Sequence, residues 1–299
     1  MHPLQSPRNP RGPEPQSEIW KIRSGHLSVR KALIMGVVNL TPDSFSDGGK
    51  YLEADAALRH ALEMAAAGAD ILDLGAESTR PGAESVNEQE ELSRLLPVLR
   101  AFRKISGIPV SIDTTKAAVA EACLSEGADI INDVSGLRDS GSAMAQVVKR
   151  FGAGLVLMHR RGNPKTMQSL AAYSDVVSET VSELQQSFDL ALQAGISAEH
   201  IAVDPGLGFA KNAEQNLELL AELDAFHALG RPVVLGPSRK SFIGKVTGRE
   251  ANDRAFGTAA VVAYAVSQHI QVIRVHDVGP MKDVITMMEA IQGACHVRS

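Results

Sequence analysis

At 299 residues, 44% hydrophobic and 22% charged, the chain has apolar material for one large core or two ordinary ones. Its 35 acidic and 30 basic side chains leave a net charge of -5, which excludes a general electrostatic footprint for nucleic acid or an anionic membrane, so any bound anion has to be met by a local cluster. Two cysteines, Cys123 and Cys295, outside any CxxC pattern, are too few for a disulfide framework.

No apolar run approaches the roughly 20 residues of a membrane span and no apolar signal core is present. A cytoplasmic location with inert, buried thiols is expected. Residues 1–18 hold Pro3, Pro7, Pro10, Pro13 and Pro15 with almost nothing to bury, and read as a disordered leader. Residues 19–299 then form the folded domain. Trp20, between Ile19 and Ile22, is expected to plug the closed end of that domain.

From Lys31 onward, short β-branched runs alternate with Ala-, Leu- and Glu-rich segments of helical period. The runs are LIMGVV, ADILDL, IPVSID, ADIIND, AGLVLMH, HIAVD, RPVVLG and IQVIRVH. Several of the helical segments stop at a glycine, namely Gly68, Gly127, Gly152 and Gly195, as helix C-termini do. This rhythm predicts a single (β/α)8 TIM barrel. A doubly wound open sheet competes, but no Gly-rich fingerprint follows the first strand.

Every run stops at a polar or charged group or leads straight into one. In order these are Asn39, the Glu77–Arg80 stretch after Gly75, Asp113, Asn132, His159, Asp204, then Ser238 with Arg239 and Lys240, and finally Arg274 and His276. The C-terminal strand ends of a parallel barrel share one mouth, so these residues are predicted to converge. The first strand runs into a long polar loop, Met35 to Gly49, which carries Asp43 and a lone aromatic, Phe45. Such a loop is a solvated connection or a lid over a ligand.

The stretches GVVNLTPDSFSDGG, LDLGAESTRPGA, SIDTTK, INDVSG, LMHRRGNPKTMQ, DPGLGFAKN, GPSRKSFIG and RVHDV, taken in order, resemble those of the dihydropteroate synthases, folate-pathway members of the pterin-binding barrel family. The resemblance runs from Ile34 to Val278. It implies condensation of 6-hydroxymethyl-7,8-dihydropterin diphosphate with 4-aminobenzoate, with Mg²⁺ assisting and diphosphate leaving. It also implies roles. Asp113, Asn132, Asp204 and Lys240 would hold the pterin, whose guanidine-like edge needs acceptors and whose carbonyl needs a donor. Asn39, Thr79, Arg274 and His276 would hold the diphosphate, and Asn39 would touch the metal. Arg274 and His276, two residues apart, point to the same side. Asp43 would steady a cationic intermediate or take a proton, as a catalytic residue beside Lys240. Phe45, Pro81 and Ser241 would meet the 4-aminobenzoate.

The implied mechanism is dissociative, with no side-chain nucleophile. HRRG and the Pro237 of GPSRK depart from the commoner family pattern, and Arg160 and Arg161, near the mouth, read as solvated or else as adding to the attraction for diphosphate. A pterin methyltransferase of the same barrel family or a non-catalytic pterin-binding protein are the alternatives; the SRK, RVHDV and TPDSFSDGG stretches weigh against both. A homodimer is expected, from the family and from the apolar stripe of DRAFGTAAVVAYAVSQ.

Overall fold

A computed structural model describes residues 18–41, 49–78 and 82–296 of the chain. The proposed leader therefore lies outside the described residues except for Glu18. A short antiparallel hairpin comes first, β1 (Ile19–Ile22) and β2 (Gly25–Ser28). The eight apolar runs then become eight parallel strands: β3 (Leu33–Asn39), β4 (Ile71–Gly75), β5 (Val110–Asp113), β6 (Ile130–Asp133), β7 (Gly154–Met158), β8 (Ile201–Asp204), β9 (Val234–Leu235) and β10 (Val272–Val275). Hydrogen bonding orders them β8-β7-β6-β5-β4-β3-β10-β9, and a parallel bridge between Val203 and Val233 closes the ring. The expected TIM barrel is the observed fold.

Helices α1 (Gly49–Ala66), α2 (Glu88–Arg103), α3 (Ala117–Ser125), α4 (Gly141–Phe151), α5 (Val176–Gln193) and α6 (Ala213–Ala221) each follow one strand from β3 to β8. Two helices, α7 (Ser241–Thr247) and α8 (Ala255–Ser267), follow β9, and α9 (Val278–His296) follows β10. Local chemistry sets their ends. Asn87 and Asp175 cap α2 and α5 by accepting backbone N–H groups, and Asn212 forms a reciprocal capping box with Gln215 at α6. Gly68, Gly127, Gly152 and Gly195 all adopt positive φ beyond helix ends, the backbone state that a Cβ disfavours.

Side chains alternate along each strand, and the alternation builds the barrel interior in layers. The lowest layer includes Met35, Ile71, Ile130, Val156, Val234 and Val272, packed against Trp20, Ile22 and Val29. Trp20 is completely buried and donates from Nε1 to the carbonyl of His200 at 2.9 Å, so the hairpin seals the N-terminal end as expected. Two residues further along the strands the layer turns polar, and the pocket begins there. Pro232 explains why β9 is so short: lacking an N–H it cannot donate to a ladder. The N–H of Val233, just before β9, is satisfied by the Gln271 side chain, which accepts it at 2.7 Å.

Candidate active site

One step above the apolar floor, Ile71 is succeeded by Asp73, Ile130 by Asn132, Ala202 by Asp204 and Val272 by Arg274. The period-two pattern makes these four inward-facing. Asp73 is fully buried and accepts from Arg274 Nε at 2.7 Å and from Asn132 Nδ2 at 3.1 Å. The other arm of Arg274 donates to Asp113 Oδ2 at 2.9 Å. Asp204 spends one oxygen on the N–H of Gly206 at 2.7 Å, so it serves the Pro205–Gly206 turn and the cavity together. The side-chain oxygens Oδ1 of Asn132 and Oδ1 of Asp73 are buried without a protein partner. Unpaired buried polar atoms cost free energy, so these two acceptors leave hydrogen-bonding capacity unused at the centre of the cluster.

Another step up lies the rim. His276 Nδ1 is 3.0 Å from the hydroxyl of Ser238, and its Nε2 is 3.4 Å from Asn39 Nδ2. Ser238 Oγ also accepts the His276 N–H at 3.3 Å. Lys240, the N-cap of α7, sits with Nζ 4.3 Å from the centroid of the Phe209 ring. Its neighbour Arg239 takes a left-handed φ of 57° and is bonded to Asp277 at 2.6 and 3.1 Å, which pins the turn that presents Lys240. Ser241, the first residue of α7, is exposed. A cavity of about 300 Å³ extends from Asp113 and Val134 outward past Lys116 to Arg160.

The central electrostatics follow from packing three carboxylates, Asp73, Asp113 and Asp204, around two cations, Arg274 and Lys240. Burial pushes Asp113 up to about 7, opposed by Arg274 and reinforced by the charge of Asp73. Burial raises Asp204 as well. Lys240 is pushed down to about 8 by burial and by Arg274. His276 falls to about 4, again through burial with Arg274 and Arg239 adding to it, so it is neutral at neutral pH. Burial alone would lower the Arg274 guanidinium, but Asp73 and Asp113 outweigh it and hold the charge firmly. A neutral guest with several N–H donors and one carbonyl suits this environment, because it feeds hungry acceptors without adding charge.

Asp113, Asn132, Asp204, Lys240 and Arg274 thus form one cluster of bonded or charge-coupled groups, and Asn39 meets His276 at its rim. Asp43, Phe45, Thr79 and Pro81 lie outside the described residues. One expectation is corrected. Arg160 and Arg161 are not solvated: Arg160 is buried and paired with Asp139 at 2.7 Å, while Arg161 lies 3.9 Å over the Tyr173 ring and bonds Glu179 and Glu183. Neighbouring carboxylates and an aromatic face outcompete water for these guanidiniums. Arg274 is paired with Asp73 and Asp113 across the barrel, whereas Asp277, its neighbour in sequence, is held by Arg239.

Two residues of the pocket escape a reading that inspects only strand exits. Asp73 lies inside an apolar run, and its signal is a carboxylate flanked by Leu72 and Leu74. Phe209 is the single aromatic of the glycine-rich loop after β8. At the base of the second loop, Lys116 bonds both Glu77 and the fully buried Glu91, tying that loop to α2.

Comparison with known proteins agrees with this geometry. The model of the pterin binding enzyme family matches residues 35–276. The dihydropteroate synthase of Synechocystis is 44% identical over 263 residues, covering 88% of this chain and 91% of that protein. A structure of the Xanthomonas albilineans dihydropteroate synthase with 4-aminobenzoic acid superposes with a TM-score of 0.87 at 40% identity, covering 92% of this chain and 98% of the other. Another structure of that enzyme, in complex with 7,8-dihydropteroate, gives a TM-score of 0.81 at 38% identity, with coverage of 89% and 96%. Matched by that family model over most of its length and by these relatives in sequence and fold, the chain belongs to the pterin-binding enzyme family, as a dihydropteroate synthase.

Proposed function

We propose that this mouth condenses 6-hydroxymethyl-7,8-dihydropterin diphosphate with 4-aminobenzoate, forming 7,8-dihydropteroate and releasing diphosphate. The observation that carries the reading is the cluster at the strand ends, where Asp73 joins Arg274 to Asn132, Arg274 reaches Asp113, and Asp204 and Lys240 are close enough to act on each other's charge. The carboxylates and the Asn132 amide oxygen accept the guanidine-like N–H groups of the pterin, and Lys240 donates to its ring carbonyl. Phe209 lies along the ring face, beside Lys240.

The bond that breaks joins the pterin methylene to diphosphate oxygen, and the electron pair leaves with the oxygen. Positive charge spreads into the pterin ring, where Asp113 and Asp204 stabilise it. The neutral aniline nitrogen then attacks the methylene, and its proton passes to solvent or to Asp43. Positioning and charge stabilisation supply the acceleration. Arg274, His276, Asn39 and Thr79 are assigned to the departing diphosphate. Phe45 and Pro81 would clasp the benzene ring, with Ser241 toward the carboxylate.

Mg²⁺ fits this site in a limited sense. Among the described residues no group of three or more His, Cys, Asp or Glu could hold a metal. Asn39, with its nitrogen 3.4 Å from His276 Nε2, has a carbonyl oxygen to offer a hard cation. One such ligand suits Mg²⁺, which keeps several waters and takes phosphate oxygens. When bound, the ion would neutralise charge on the leaving diphosphate.

A homodimer through α8 is part of the proposal. Phe256 is 92% exposed there, Tyr264 follows two turns later, and α9 adds Met287 and Ile291 at helical spacing. A cytoplasmic location is proposed too, from a buried, unpaired Cys123. Among the described residues no helix is long and apolar enough to cross a membrane. The deciding assay follows diphosphate release and dihydropteroate in one sample, with and without 4-aminobenzoate, before and after chelation of Mg²⁺. Coupled, chelator-sensitive appearance of both products is expected. Tight pterin binding without product would overturn the assignment.

A further inference from the structure

The loop after β8 is wound around a buried lysine that bonds neither Asp204 nor Lys240. Within DPGLGFAK, Gly206, Gly208 and Ala210 take φ of 69°, 82° and 50°. A Cβ on Gly206 would lie 2.0 Å from the carbonyl oxygen of His159, and one on Gly208 would lie 3.2 Å from Lys240 Cδ. Ala210 carries a Cβ in that left-handed region, which persists only where the surroundings over-determine it.

Those surroundings centre on Lys211, which is 3% exposed. Its Nζ donates to Gly206 O at 3.2 Å, to Phe209 O at 3.1 Å and to His159 Nδ1 at 2.8 Å. In its protonated form the amine has three N–H groups and no acceptor, and these three acceptors match it one for one. They also settle the tautomer of His159. With Nδ1 accepting, the proton sits on Nε2, which faces Glu183 Oε2 at 3.1 Å. Glu183 is itself gripped by Arg138 and Arg161. The Lys211 amine thus rests in a cradle of two carbonyls and a neutral imidazole; burial pushes it down to about 7, while Asp204 and Glu183 favour its charged form.

The loop so shaped delivers two groups to the pocket. Gly206 N–H holds Asp204, and the Phe209 ring packs with Val134, Met158 and Met167 while lying beside Lys240. We infer that Lys211 is a positioning residue for the pterin substrate, gathering the turn's carbonyls so that Asp204 and Phe209 face the pterin in register with Lys240. This rests on the assignment of Asp113, Asn132, Asp204 and Lys240 to the pterin. Lys211 contributes nothing to bond making or to 4-aminobenzoate.

The test uses the full chain and calorimetric titration with 6-hydroxymethyl-7,8-dihydropterin diphosphate, together with steady-state kinetics. Lys211→Met keeps the aliphatic stem and removes the donors. Pterin affinity is expected to fall about 10- to 100-fold, while KM for 4-aminobenzoate at saturating pterin stays within about threefold. A lysine that merely stabilised the fold would lower kcat through the active fraction and leave both substrate affinities unchanged, and that result overturns the inference. Two substitutions of its partner decide the matter if Lys211→Met does not fold. His159→Asn retains an acceptor near the Nδ1 position and should bind pterin like the parent, whereas His159→Leu should bind about tenfold more weakly; equal affinities of the two overturn the inference. Asp204→Asn separates the underlying assignment. If it binds pterin normally, the site reading falls and the Lys211 role with it; if it loses pterin while Lys211→Met keeps it, only the Lys211 role is wrong.

Discussion

Asp113 and Lys240 carry opposite demands on protonation, and pterin affinity should report both. The pterin needs Asp113 ionised to accept its N–H groups and Lys240 protonated to donate to its carbonyl. With Asp113 at about 7 and Lys240 at about 8, affinity follows a bell. The competent fraction is roughly 0.6 at pH 7.5 and roughly 0.1 at pH 6 or pH 9, so affinity drops about sixfold on either side. Replacing Asp113 by Asn removes the acid limb and leaves the alkaline one. It also forfeits a charge-assisted hydrogen bond, about 1.5–3 kcal/mol, so the plateau falls roughly 10- to 150-fold. Calorimetry with the alcohol, 6-hydroxymethyl-7,8-dihydropterin, avoids the titration of substrate phosphate. Thermal unfolding of the variant guards against a folding defect. A folded Asp113→Asn protein that binds within about threefold of the parent and keeps the acid limb would refute the reasoning.

Asp73→Asn removes the negative charge that helps raise Asp113, so the acid limb should move to lower pH in the same titration, and denaturant unfolding should show a loss of about 3 kcal/mol from the broken buried pair with Arg274. Trp20→Ala empties the plug and should cost about 3–5 kcal/mol in urea unfolding, with the affinities for both substrates unchanged. Phe256→Glu should shift the protein from dimer to monomer in sedimentation velocity; an unaltered mass distribution would remove α8 from the interface. Phe45→Ala should raise KM for 4-aminobenzoate and spare pterin binding, and an unchanged KM would end the proposed ring contact.

The barrel and most of its mouth were legible because two periodicities coincide. Strand exits in a parallel barrel share one rim, so Asn39, Asp113, Asn132, Asp204 and His276 could be read as neighbours from run boundaries alone. Asp73 could not, because depth is invisible in a linear pattern. Its role depends on where the hairpin closes the floor, and hence on which inward layer is the first to meet the ligand. Arg160 and Arg161 failed for a related reason. Their polarity suggests water, but the carboxylates that bury them, Asp139, Glu179 and Glu183, lie about 20 residues away in sequence and meet them only through folding. The same holds for Lys211, whose partner His159 belongs to the preceding strand unit.

The wall of the barrel is not equally strong all round. Between β8 and β9 the ladder shrinks to a single bridge at Val203, and β9 contributes only two residues. Asp204 hangs from one lip of this seam, and the turn bearing Lys240 hangs from the other. Few shared hydrogen bonds make that gap the most compliant dimension of the pocket, whereas the span between Asp113 and Asn132 is stitched by direct strand pairing. Ligands that vary in width will therefore be accommodated by spreading Asp204 and Lys240, and discrimination by shape will be sharpest at the opposite edge.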